Sequence, residues 1–144
     1  MRVEILTNLI VSSMLTCLIW IVQILHYPAF RYVDQKNFSN FESFHTKSIS
    51  YIVMPLMLIE LFLSSYLFLK DPKNTLLLAS LISVILIWIS TFYFSIPCHT
   101  KLGLGYDSAA IEKLIFTNWP RTILWSFKLF ISIILIQGVS YERL

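Results

Sequence analysis

Charge, glycine and cysteine are all scarce in this chain. Of its 144 residues only 13% are charged, three are glycine and two are cysteine, whereas soluble domains carry about 25% charged residues. The thiols of Cys17 and Cys98 fall in different apolar segments, at depths that differ by roughly 13 Å when each helical residue rises 1.5 Å. A disulfide tolerates Cα atoms only up to about 7 Å apart, and without a CxxC pair the sequence gives no support for a thiol redox relay. The net charge of +3 is scattered over loops and ends. No basic run forms the electrostatic footprint of a nucleic-acid binder. The Walker loop, the dinucleotide GxGxxG, the GxSxG elbow and the HExxH zinc helix are absent as well, which removes the commonest soluble chemistries.

What the chain has instead is apolar length. It is 57% hydrophobic, with a mean hydropathy of +0.74. Apolar stretches at 5–25, 51–69, 76–96 and 122–139 each approach the roughly 20 helical residues that cross a hydrocarbon core of about 30 Å. Runs of this kind cannot be barrel strands, which alternate, so the backbone must satisfy itself in helices. The expected fold is therefore an all-α membrane protein, an up-down-up-down bundle of four transmembrane helices forming a single domain over 1–144. The first segment is too apolar and too long for a signal peptide and lacks a small-residue cleavage site, so it is expected to remain as a helix.

Lys70-Asp71-Pro72-Lys73-Asn74 is a tight turn between the second and third helices. The other two connections are longer, and both are expected to carry short interfacial helices. In the first, Phe38, Phe41, His45, Ser48 and Ile52 recur at helical spacing. In the third, Asp107 is a helix cap, Ile111, Leu114, Ile115 and Asn118 share a side, and Pro120 suits the first turn of the fourth span. Arg2, Lys70, Lys73 and Arg143 belong to the short-loop face. Arg31, Lys36, Lys47, Lys101, Lys113 and Arg121 belong to the other. Their proximity to helix ends favours cytoplasmic termini, and their totals favour the reverse.

Alternating helix direction would bring Gln23, His26, Tyr27, His45, His99, Asn118, Trp119 and Arg121 to one face. Imidazoles ligate metals or haem iron, transfer protons near neutral pH, or bind a polar headgroup. Three uses stay open: a metal or haem site of His26, His45 and His99, a headgroup pocket, and plain interfacial anchoring. Deeper in the helices, Glu60 and Lys128 sit at matched depths of about 15 Å and about 12 Å from that face. A charge at the bilayer centre costs on the order of 2.5–3.5 kcal/mol, so the two are expected to pair, either to order helices or to take part in a site.

The stretches His26-Tyr27-Pro28-Ala29-Phe30, Pro55-Leu56-Met57-Leu58-Ile59-Glu60, Pro97-Cys98-His99 and Asn118-Trp119-Pro120-Arg121-Thr122 resemble small bacterial four-helix membrane proteins, largely uncharacterised. Their layout is similar to that of the anthrone-oxygenase-like family. The resemblance implies a four-helix fold in a bacterial inner membrane, with an oxygenase or lipophilic-ligand activity. Asn118 and Arg121 match the motif that enters helix four. His26, Glu60 and His99 match the wider group and depart from the oxygenase branch.

Two functional classes are open. In the first, a membrane oxidoreductase or oxygenase acts on a lipophilic small molecule, with His26, His99, Glu60 and Arg121 as candidate catalytic groups. Asn118, Lys128 and Gln23 would line its pocket, and its cofactor would be a metal ion or haem. In the second, the same polar mouth serves a non-enzymatic lipid- or quinone-binding protein, or an accessory subunit of a membrane complex. The expected partners are the lipid bilayer, a lipophilic small molecule, and a second copy or membrane protein.

Overall fold

Uninterrupted apolar sequence leaves the backbone no polar partner but itself, and in the structure, a computed structural model describing residues 2–141 with side chains through residue 138, all regular secondary structure among those residues is helical. Four long helices result: α1 (Arg2–Tyr32), α2 (Gln35–Lys70), α3 (Thr75–Leu102) and α4 (Ser108–Tyr141). Each is long and apolar enough to cross a membrane. Arg143, expected at the short-loop face, lies outside the described residues. Helices α1 and α3 each pack against both α2 and α4, which closes a four-membered ring.

The turns are fixed by side-chain caps. Asn74 Oδ1 accepts from the amides of Leu76 and Leu77, and Asp34 Oδ1 from those of Lys36 and Asn37, in each case satisfying donors that a helix start leaves open. Asp107 caps α4 through the Ala110 amide at 2.8 Å. The Lys101 ammonium 2.6 Å away and that amide hold the Asp107 carboxyl below the usual carboxylate range. Gly105, with φ 145°, supplies the one backbone angle in this turn that a side chain would resist.

Two expectations are corrected. The first and third connections do not hold separate interfacial helices: Phe38–Lys70 is one α-helix running through Pro55, and Ser108–Tyr141 is one running through Pro120. Pro120 is thus interior rather than at a helix start. A proline removes one ladder bond, but apolar helices tolerate the loss where neighbouring helices support the backbone. Pro28 and Pro97 act differently. Just before Pro28 and Pro97, α1 and α3 widen into π-helical turns at Val22–His26 and Thr91–Ser95. There the amides of Tyr27 and Ile96 reach back to the carbonyls of Val22 and Thr91. One inserted residue rotates the downstream part of the helix by about 100°, and such turns gather at functional sites.

Large apolar side chains cover the exterior, and polar and charged ones are buried among the apolar residues of the interior. Ile10, Leu58, Ile85 and Phe130 are exposed, whereas Asn8, Ser12, Gln23, Glu42, Glu60, Asn118, Arg121 and Lys128 are buried. Two apolar clusters fill the rest of the interior. One is built on Leu15, Phe30, Phe38, Met57, Leu114 and Trp125, the other on Ile5, Leu67, Leu77, Ile131 and Leu135. The polar residues lie in two layers, the deeper around Lys128 and the other beside the histidines.

Candidate functional site

The deeper layer is an ion pair with no spare valence. Lys128 Nζ donates to Glu60 Oε1 at 3.1 Å, Ser12 Oγ at 2.7 Å and Asn8 Oδ1 at 3.1 Å, which uses all three ammonium hydrogens. Glu60 in turn accepts from Ser12 Oγ and, on its other oxygen, from Trp125 Nε1, each at 3.0 Å. Glu60 and Lys128 therefore meet, as their matched depths require.

The second layer is organised around Arg121. Its Nη1 donates to Ser95 Oγ at 2.6 Å and Asn118 Oδ1 at 3.2 Å. Asn118 Nδ2 donates to Gln23 Oε1 at 2.8 Å, and Gln23 Nε2 to the Ile115 carbonyl at 3.1 Å. Gln23 and Asn118 thus orient the arginine from behind. The guanidinium lies 5.3 Å from the Trp125 ring centroid and interacts with the Tyr27 phenol. Arg121 is only 6% exposed, its Nε has no hydrogen-bond partner, and no ion pair among the described residues includes it.

Beside it runs a second chain. Tyr27 Oη lies 3.1 Å from His99 Nε2, and His99 Nδ1 lies 2.6 Å from Glu42 Oε1. With Glu42 as a carboxylate, which only accepts, His99 Nδ1–H must donate to it. Neutral His99 then accepts from the Tyr27 hydroxyl. His26 Nε2 and His45 Nδ1 form a separate pair at 2.8 Å, walled by Phe30 and Phe41. The three imidazoles do converge, with His45 4.5 Å from His26 and 5.4 Å from His99 between ring centroids. Their nitrogens, however, are spent on one another, on Tyr27 and on Glu42, and only His45 Nε2 among the buried ones lacks a partner. Among the described residues no three His, Cys, Asp or Glu side chains take up a metal-holding arrangement.

Arg121, Tyr27, His99, Ser95 and Trp125 line one end of a cavity of about 180 Å³, whose remaining wall, including Leu18, Val22, Ile49 and Met57, is largely apolar. An apolar cavity of about 150 Å³ is enough to take up benzene. His26 and His45 face a different space, an apolar groove of about 400 Å³ between α1 and α2. The two voids share Leu18, Val22 and Ile49 as a common wall. Of the residues expected to line the pocket, Gln23, Asn118 and Lys128 do not touch the 180 Å³ cavity, nor does Glu60. Their polar atoms are turned into the hydrogen-bond networks behind it.

Glu42 was not among the sequence candidates, although a signal was present. It precedes His45 by three residues in Glu42-Ser43-Phe44-His45, the E-x-x-H spacing that sets both side chains on one helix face. Asn8 and Ser95 had no comparable signal, because nothing local separates a buried membrane serine or asparagine from a packing residue. No protein-family model, characterised protein or solved structure matches the chain.

Proposed function

We propose that this is an integral membrane protein, its four helices alternating in direction across the bilayer, that binds a lipophilic small molecule through an anionic head held at Arg121. The apolar exterior and polar interior support the membrane setting. The order of contacts supports the alternation: Asn8, Thr16 and Gln23 on α1 meet Lys128, Trp125 and Asn118 on α4 in reverse sequence. We place it in a bacterial inner membrane, which is what the sequence resemblance implies.

One observation carries the binding reading, a buried guanidinium that has an unpartnered Nε, is in no ion pair among the described residues and borders a largely apolar cavity. Burying an unpaired charge costs several kcal/mol, a cost that an anion in the cavity offsets. Guanidinium is also the side chain best shaped for planar oxyanions. Tyr27 and His99 on the same wall, with Glu42 behind His99, favour a second reading, an enzyme, oxidoreductase or oxygenase, acting on the bound molecule.

Mass spectrometry of the protein purified in its native lipid tests the first reading. An anionic lipophile should be retained by the wild type at stoichiometric level and lost from Arg121→Gln. Bulk lipid alone in both preparations refutes it.

A further inference from the structure

A ligand that reaches this cavity through the bilayer arrives neutral, because charge is costly in hydrocarbon. Arg121 calls for an anion. The two requirements are reconciled only if the ligand loses a proton inside the cavity, and the cavity wall holds a group that can take it. We propose that Tyr27, His99 and Glu42 form a proton relay that ionises a weakly acidic lipophile, a phenol or enol, at Arg121. This rests on the anion-binding reading above and gives that site an acid–base activity.

The geometry supplies each step. Tyr27 and Arg121 both line the cavity and interact with each other, and with His99 neutral and its Nδ1–H on Glu42 the Tyr27 hydroxyl donates to His99 Nε2 at 3.1 Å. As the ligand O–H bond breaks, its proton goes to the Tyr27 oxygen. The Tyr27 O–H bond breaks in the same step, and that proton moves to His99 Nε2. The electron pair of the broken ligand bond stays on the ligand oxygen, opposite Arg121. Nothing is oxidised or reduced, and net charge is unchanged. Before the transfer Arg121 and the Glu42 carboxylate are separate buried charges; afterwards the ligand anion faces Arg121, and the His99 imidazolium faces Glu42 at 2.6 Å. Two contacting ion pairs replace two separated charges, which favours transfer in a site of low dielectric.

The groups facing the relay come from every helix: Tyr27 and His26 from α1, Glu42 and His45 from α2, His99 from α3 and Arg121 from α4. Glu42 Oε2 and His45 Nε2 are both buried and unpartnered. His45 stands between His99 and the half-buried His26, which borders the groove.

The test uses 2-naphthol, a compact apolar phenol whose absorbance distinguishes neutral from ionised forms, with the protein in lipid nanodiscs near pH 7, about three units below the ordinary phenol range. Binding is measured by equilibrium dialysis and ionisation by absorbance of the bound probe. The wild type should bind naphthol largely as naphtholate. Tyr27→Phe and Glu42→Gln should each bind it with the ionised fraction reduced about tenfold or more, equivalent to at least one unit of apparent acidity. Arg121→Gln should lose binding. Naphthol bound neutral to the wild type overturns the relay while leaving the binding site standing. Ionisation undiminished in both Tyr27→Phe and Glu42→Gln overturns it as well. A wild type that binds no naphthol overturns the anion site and the relay together.

Discussion

The two polar layers of this interior contain similar groups and treat them in opposite ways. Around Lys128 every ammonium hydrogen has an acceptor and both Glu60 oxygens have donors. Around Arg121 and the histidines, Arg121 Nε, Glu42 Oε2 and His45 Nε2 are buried without partners, and a cavity opens beside Arg121 and His99. A saturated buried network has nothing left to offer a ligand, so its role is to hold helices in register. An unsaturated one is costly to maintain, and it makes sense where a ligand completes it.

The largest expected effect separates the layers by stability. Removing one partner of a buried pair strands the other, at about 3–5 kcal/mol, so Lys128→Met should lower the unfolding midpoint steeply in detergent. Replacing both charges, in Lys128→Met with Glu60→Met, should recover most of the loss. Should the double variant be as unstable as the single, the pair is doing more than ordering helices. Arg121→Gln should behave in the opposite sense, folding at least as stably as the wild type because a poorly compensated buried charge is gone. A loss as large as that of Lys128→Met would remove the distinction between the layers.

Trp125 joins the two, its Nε1 donating to Glu60 and its ring under Arg121. Trp125→Phe keeps most of the ring surface and leaves Glu60 Oε2 short of one donor, for about 1–3 kcal/mol. Chemical denaturation should register that drop together with a weakened ligand affinity, and only this position should move both readouts. The smallest effect belongs to the surface. Arg31 and Glu112 form a bidentate pair at 2.6 and 2.7 Å, yet both are exposed. Such pairs contribute little, so Arg31→Gln should leave the unfolding midpoint unchanged within error.

How far the sequence revealed this interior depends on the scale of each signal. Helix existence was legible, since hydropathy summed over many residues overwhelms local exceptions. The meeting of Glu60 and Lys128 was legible too, because 1.5 Å per residue converts sequence offset directly into depth. Helix continuity through Pro120 was not, because a proline weakens a helix in any context and only packed neighbours decide whether it ends. The histidines were legible as a cluster but not in their pairing. The π-helical turns ahead of Pro28 and Pro97 change the angular phase of Tyr27 and His99, and a one-residue insertion in the helix register leaves no trace in hydropathy.

The central claim is that the cavity beside Arg121 is completed by negative charge. It is tested most directly by comparing how dodecanoate and dodecanol, alike in chain and different in head, raise the unfolding midpoint of the protein in nanodiscs. A ligand stabilises according to its affinity for the folded state. The account predicts a clear shift with dodecanoate, little with dodecanol, and no difference between them in Arg121→Gln. Equal shifts in the wild type, or a preference for dodecanoate that survives Arg121→Gln, would contradict it.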